Sequence, residues 1–480
     1  MTFSVTHLGH QGWLCASETT RVLVDPLLTD EYSPGYRAIV WPARAIDLRA
    51  MPAIDAIVLS HEHSDHVNIG SLAQLDRAIP LVMPERSAGA IRGALEKLGF
   101  GVAGARAGDR FAIGDLVLQT LAGEHRDHEF EGEWANLLLS IAGADGSFFT
   151  YVDGWPTPAT IEAIGRVSVF CHANNAMDWS CLEGGRVIEA ARATTETFAR
   201  DLIDVERGWW PSRELAPIVT AIAGPGLAFV GDDAWLDQVL AVDSDEVAAA
   251  MQRAFPERAI RSPSPGETYT FRGHALVSID RAPFVTPIDH PRAKIDPPRA
   301  LIEDVARVAS APDMTDDDWQ LALDELDRLA RYLYGRTLFR TLHALDAHDL
   351  GGRRADLAFV LRADDGAAYV CEYVTHESRF ALVDCDDPLA TYVCGVECWG
   401  CDLRDVARGA ILPQRLLGHL RTWSFSPLPL SPLDAVWRFF DFVHRPEAGA
   451  AFYDALIART ATPPVVDAGS AGVRRAPRRH

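Results

Sequence analysis

The 480-residue sequence predicts an α/β protein in which two packed sheets are flanked by helices and joined to a smaller α+β domain. Three observations lead there. Up to about residue 240, short apolar runs alternate with helix-length segments, a proline-rich stretch follows, and beyond it a capped helix precedes a hairpin. In order, Thr6–Leu14 and Thr20–Pro26 read as short strands and Ile54–Leu59 as a buried one. Arg86–Leu98 reads as a helix, Leu116–Leu121 and Ser147–Asp153 as strands, Glu183–Arg207 as helical, and Pro217–Ile222 as a further strand. Residues 241–300, with Arg261-Ser-Pro-Ser-Pro-Gly266 and the prolines between Pro283 and Pro298, read as an extension and surface linker. The second domain, 301–462, opens with a helix over Asp316–Gly335, where Thr315 supplies the cap and the acids behind it suit the helix N-terminus. A hairpin of Asp356–Arg362 and Ala368–Val374 turns at Ala-Asp-Asp-Gly366, and a strand at Arg379–Asp384 follows. Residues 463–480, from Pro463-Pro464 to the arginine-rich end, are expected to be disordered.

Composition narrows the function classes. A formal charge of −22 leaves no excess of cations to displace counterions from nucleic acid, so a wrapped nucleic-acid partner is excluded. Lys97 and Lys294 are the only lysines, and arginine carries the positive charge. No apolar run reaches the length of a membrane span, and Met1-Thr-Phe-Ser-Val lacks the basic start of a secretory signal, so a cytoplasmic protein without a membrane partner is expected. The eight cysteines fit that compartment as free thiols. Cys394-x₃-Cys398-x₂-Cys401 copies the spacing of a radical-SAM cluster, but it lies too near the end of the chain to open a barrel, so these cysteines read as small core residues.

The chemistry concentrates in His61-Glu62-His63-Ser64-Asp65-His66, directly after the apolar Ile54–Leu59 run. The i, i+2 spacing lets His61 and His63 point into one cavity, while Asp65 and His66 can reach a second ion. Imidazoles joined by a carboxylate suit Zn or Fe, so two divalent metal ions are the expected cofactors.

His-x-His-x-Asp-His is the signature of the metallo-β-lactamase superfamily, and the order of elements around it resembles that family. The resemblance implies a metallo-β-lactamase-like αββα sandwich and gives several residues their roles. Asp25 matches an early aspartate that orients the ligand loop from outside the metal shell. His125, after Leu116–Leu121, would complete the first ion's set with His61 and His63, with Glu124 and His128 as alternatives. Asp153, at the end of Ser147–Val152, matches the aspartate that bridges both ions. Asp65 and Asp153 are then the candidate catalytic carboxylates.

The sequence departs from the family at the last ligand. Where Pro217–Ile222 should end in a histidine, the chain reads Ala223-Gly224-Pro225-Gly226. The second ion would keep Asp65, His66 and Asp153, unless His172, Asp178 or Asp232 swings in. The His61–His66 string, Thr150–Pro156, the Ala-Gly at 223 and 224, and Leu403–Gly409 are similar to the CMP-N-acetylneuraminate hydroxylase branch, whose Rieske cysteine–histidine pairs this chain lacks. An open position on a second iron favours, slightly, an oxygenase that acts on a small-molecule substrate with electrons from a separate transfer protein. The other class is a zinc hydrolase that cleaves an ester, amide or phosphoester with metal-activated water. Trp155, Trp179, Trp209 and Trp210 lie on segments expected to rim the cleft. The C-terminal domain reads as a lid or dimerisation module, the latter implying a homodimer.

Overall fold

The computed structural model describes residues 1–124, 136–174, 176, 183–184, 191–210, 216–240, 242–289, 305–346, 348–428, 431–460 and 464–476. Two eight-stranded sheets face one another. Strand alternation explains why they stack: along Ala56–Val58 and on to Leu59, Ala56 and Val58 point into the space between the sheets, and Ile57 and Leu59 point to the helix-covered side. The layer between the sheets is filled by apolar side chains, among them Trp13, Val24, Leu118, Phe148, Val169 and Tyr269. Outside, Gly89–Leu98 covers the first sheet, and Ala191–Trp209 with Ser244–Ala254 covers the second. This is the expected helix–sheet–sheet–helix sandwich.

The first sheet runs in the order Ala275–Arg281, Glu267–Arg272, Phe3–Gly9, Gly12–Ala16, Arg21–Val24, Ala56–Val58, Leu81–Pro84 and Val102–Ala105. Its last four strands are parallel, so their C-terminal ends lie together and the loop after Ala56–Val58 opens beside the one after Arg21–Val24. In the second sheet, Ser147–Tyr151, Val169–Ala173, Val219–Ala223 and Ala259–Arg261 are likewise parallel. The two sets of strand ends enclose the site.

Three expectations about the chain's organisation are corrected. Residues 242–289 of the expected linker build the sandwich: Ala259–Arg261 edges the second sheet, Arg261–Gly266 crosses between the sheets, and the hairpin Glu267–Arg272/Ala275–Arg281 edges the first. Tyr269 and Phe271 sit fully buried between the sheets, an alternation that the neighbouring prolines concealed. Residues 464–476 of the expected disordered tail are ordered along the sandwich. Val466 bridges Leu75, Ala468 bridges Ile54, Asp55 accepts from the Ala471 amide, and Val473–Arg475 pairs with Arg110–Ile113. Nonlocal pairing supplies what the composition does not. Third, the 301–462 segment divides: its helix Pro446–Arg459 packs on Gly89–Leu98, with Phe452, Tyr453 and Leu456 in the first sheet's outer core.

The rest of the C-terminal region supplies five strands of a six-stranded sheet whose edge strand, Glu183–Gly184, comes from the N-terminal part of the chain; the order is Glu183–Gly184, Arg421–Ser424, Tyr392–Trp399, Arg354–Arg362, Ala368–Val374 and Arg379–Val383. Helix Asp316–Tyr334 packs against it, its N-terminus closed by a reciprocal Thr315–Asp318 capping box. Cys394, Cys398 and Cys401 are buried free thiols in this part of the chain, as expected of core residues. Among the described residues no helix is long and apolar enough to cross a membrane.

Candidate metal centre

Two groups of potential ligands sit side by side at the strand ends: His61, His63 and Asp153, and His10, Asp65 and His66. Within each group the ligand atoms lie within 4.8 Å of one another. In the first, Asp153 Oδ2 is 3.1 Å from His61 Nε2 and 2.8 Å from His63 Nδ1. In the second, Asp65 Oδ2 is 3.0 Å from His10 Nε2 and 3.5 Å from His66 Nε2. The groups adjoin, the His61 and His66 rings being 4.1 Å apart. His10, His61 and His66 are buried, whereas the His63 side chain is 33% exposed and that of Asp153 23%, so the centre opens to solvent on that side.

The hydrogen bonds around the three buried imidazoles fix how they point. Asp25 is the hub: Oδ1 accepts from the Ser60 amide at 2.8 Å, and Oδ2 accepts from Ser60 Oγ at 2.6 Å and from His66 Nδ1 at 2.9 Å. Because Ser60 Oγ donates to Asp25, it accepts from His61 Nδ1 at 2.8 Å. His10 Nδ1 donates to the Pro225 carbonyl at 2.7 Å. Each ring thus carries its proton on Nδ1, leaving the Nε2 lone pair for the group, the tautomer a metal-binding histidine needs. Nε2 of His10 and of His61 is buried with no hydrogen-bond partner among the described residues, although each faces a carboxylate. A buried polar atom without a partner is costly, and a cation between nitrogen and carboxylate would satisfy both.

Charge tells the same story. Burial pushes the His61 imidazole down to about 4, so it is neutral at physiological pH. Burial opposes the ionised forms of Asp65 and Asp153 too, but the facing histidines hold both carboxyls below their usual range. His63 is likewise lowered by burial, but Asp153 against its Nδ1 raises it to about 9, a sign that this field favours a cation. The ionised carboxylates are in the state that a divalent metal requires, and a bound cation would take the place of the proton that Asp153 favours on His63.

The backbone is strained at the same place. His10, Asp25 and Asp153 have positive φ values of 51°, 41° and 53°, a conformation that costs a non-glycine residue about 1–3 kcal/mol and concentrates at functional sites.

The structure brings His61, His63, Asp65, His66 and Asp153 together and sets Asp25 behind them. His125, His128 and Asp178 lie outside the described residues, as does Trp179. The other suggested ligands are corrected. His172 is buried with both nitrogens engaged, Nδ1 by Tyr151 Oη and Nε2 by Glu206 at 2.6 Å, between the second sheet and its helix. Glu124 is exposed and pairs its backbone with Trp155. The Asp232 side chain is 97% exposed beside Arg37. Trp210 is buried in the layer outside the second sheet, and Trp155 and Trp209 pack beside it.

His10 is the residue that sequence reasoning missed: it joins Asp65 and His66 and hydrogen-bonds the strand end where the last histidine was expected. The turn between Phe3–Gly9 and Gly12–Ala16 delivers it from the first sheet, and the 223–226 strand end receives it with the Pro225 carbonyl. Gly226 makes the room: a Cβ there would lie 2.4 Å from His10 Cα. Tyr32, from the loop after Asp25, donates to Asp65 Oδ2 at 2.8 Å and sets its ring edge-on to His10. Asp441, from the C-terminal region, lies within electrostatic reach of His63 and Tyr36.

Residues 20–190 match the family model described as a beta-lactamase superfamily domain. Uncharacterized proteins from Mycobacterium bovis and Mycobacterium tuberculosis are 38% identical over 76 residues, 15% of this chain and 20% of theirs, so the match spans about a fifth of these relatives. Among solved structures, the metallo hydrolase Igni18 from Ignicoccus hospitalis shares 16% identity over 57% of this chain and 99% of its own, with a TM-score of 0.36. CmlA, a diiron β-hydroxylase from Streptomyces venezuelae, shares 18% over 56% of this chain and 54% of its own, with a TM-score of 0.37. An isothiocyanate hydrolase from Delia radicum gut bacteria shares 14% over 56% of this chain and 99% of its own, with a TM-score of 0.40. The model match falls on the segment that carries the His61–His66 motif, so residues 20–190 are similar to the beta-lactamase superfamily domain, and the structure sets that motif at the strand ends of a two-sheet sandwich, the fold that the metallo-β-lactamase resemblance implies.

Proposed function

We propose that the chain is a dinuclear metal-dependent hydrolase acting on an ester, amide or phosphoester of a small molecule. One observation carries this over the oxygenase reading: His10 stands where the second ion's open position was expected, giving that group two imidazoles and a carboxylate of its own. Divalent ions held there would supply a hydroxide at neutral pH and polarise the substrate's carbonyl or phosphoryl oxygen. The chain's own residues prepare the centre. Asp25 and the Pro225 carbonyl keep protons on Nδ1 of His66 and His10, and the Tyr32 hydroxyl holds Asp65 in place. Asp153, partly exposed at the opening, is placed to accept a proton from an attacking water and to return it to the leaving group.

A second reading is iron-dependent oxidation with electrons from a separate donor protein. Each group combines two histidines with one carboxylate, a composition that also serves non-haem iron. Metal analysis of protein purified without added metal separates the two. Two zinc ions per chain, a colourless sample, and cleavage of nitrophenyl ester or phosphoester probes that His61→Ala abolishes are expected. Two irons, a visible absorption band and oxygen uptake that needs a reductant would overturn the hydrolase reading.

A further inference from the structure

The sandwich buries a guanidinium between the turn that carries His10 and the loop that follows Asp25. We infer that Arg44 is a positioning residue of that group, clamping the turn that carries His10 to the loop that follows Asp25. The inference rests on reading His10, Asp65 and His66 as metal ligands. Arg44, at the start of the strand Arg44–Ile46, is 2% exposed. Its Nε donates to the Leu8 carbonyl at 3.0 Å, and its Nη2 to the carbonyls of Leu27 at 2.7 Å and Thr29 at 3.0 Å. Nη1 reaches the Asp30 carboxylate at 3.3 Å.

The acceptors are what give this side chain a role beyond packing. Leu8 lies two residues before His10, and Leu27 lies two residues after Asp25, the carboxylate that orients His66. The same loop continues to Tyr32, whose hydroxyl holds Asp65. Each member of the second group is therefore either on a segment that Arg44 grips or held by one. His61 also leans on Asp25 through Ser60, whereas the second group takes all three of its ligands from a gripped segment or from side chains that such a segment holds, so the second group depends more on the clamp.

Three carbonyls in different directions need a planar, several-pronged donor. A lysine ammonium keeps the charge but not the fork, and an apolar residue would leave buried carbonyls unsatisfied. Burial lowers the Arg44 guanidinium to about 10, so it stays charged at neutral pH.

The test compares Arg44→Lys and Arg44→Met with the unmodified protein after loading with zinc alone. Metal content and the kinetics of release to a chromogenic chelator are read, with thermal unfolding as a check on folding. The unmodified protein should hold two ions. In both variants one ion should leave at least about tenfold faster, the scale of losing a group that orients a ligand, while the other leaves at close to its original rate. Cobalt loading should show the same selective change in the absorption of one ion. Unchanged release of both ions, equal acceleration of both, or failure of both variants to fold would make Arg44 a general staple of the fold and overturn the inference. An unmodified protein that holds fewer than two ions would instead sink the reading of the metal centre on which it rests.

Discussion

Replacing His10 by alanine tests whether a residue from the first sheet completes the second metal group. The substitution removes one of two imidazoles among three donors and leaves Asp65 and His66. Loss of a residue that merely orients a ligand weakens metal binding about 10–100-fold, so loss of a ligand should cost at least about 100-fold, or about 2.7 kcal/mol. Folding should suffer less than binding. The lost ring contacts are those to Tyr32 at 4.9 Å and to His66 at 5.1 Å, and the lost hydrogen bond is the one to Pro225. The assay is metal content after gel filtration, followed by competition with a chromogenic chelator. The unmodified protein should release its two ions with similar affinity, whereas His10→Ala should hold one tightly and lose the other. Adding Gly224→His, the residue the family places at that strand end, should not rescue the variant. Gly224 has a φ of 92°, and a Cβ there would lie 3.0 Å from the Asn174 carbonyl oxygen, so a side chain cannot enter without displacing backbone. Two ions retained at unchanged affinity in His10→Ala would refute the reasoning, and would leave His10 a hydrogen-bonded turn residue.

Three further outcomes are expected. Asp153→Asn should impair both ions, because an amide has one acceptor oxygen and the charge of Asp153 reaches His66 as well as His61 and His63; loss of the first ion alone in metal analysis would rule out a bridging role. Gly226→Ala should lower thermal stability and weaken the second ion together, since the new methyl carbon would lie 2.4 Å from His10 Cα at a backbone φ of 65°; full occupancy of both ions would contradict that. Asp233, which ties Arg37 of the sandwich to Arg415 and His419 of the C-terminal region, is raised by burial but held lower overall by His419, Arg415 and Arg37. A depressed carboxyl contributes stability above its unfolded value of about 3.9 and loses it as pH falls through the folded one, so the melting difference between Asp233→Asn and the unmodified protein should be present at pH 7 and vanish in strong acid.

How much of this was readable from the sequence depends on how local each cause is. The His61–His66 cluster is local: the spacing, coming straight off a buried strand, fixes which side chains share a cavity. Asp153 is nearly so, because it ends an apolar strand in the right order along the chain. His10 is not. Its role exists only because a turn of the first sheet packs onto the 223–226 strand end of the second, with Pro225 215 residues away, and a histidine in a Gly-His-Gln-Gly turn gives no sign of that contact. The 242–289 segment was misjudged for a related reason: its prolines are local signals of a turn, whereas burial of Tyr269 and Phe271 depends on pairing with Phe3–Thr6 at the far end of the domain.

The source of the ligands has a physical consequence for the centre. In the first group, His61 and His63 come from the first sheet and Asp153 from the second, so a cation bound there ties the two sheets together. In the second group His10, Asp65 and His66 all come from loops of the first sheet, and the second sheet contributes support through the Pro225 carbonyl and the space above Gly226. Moving the last ligand from one sheet to the other makes the second site a property of two adjoining loops rather than of the sheet–sheet contact. Its precision then has to come from within the first sheet, and that is where the buried guanidinium of Arg44, the Asp25 hub and the Tyr32 hydroxyl are found. A ligand that arrives on a turn is looser than one at the end of a central strand, and the density of polar contacts around His10 and Asp65 is what such a turn requires to hold a metal-binding geometry.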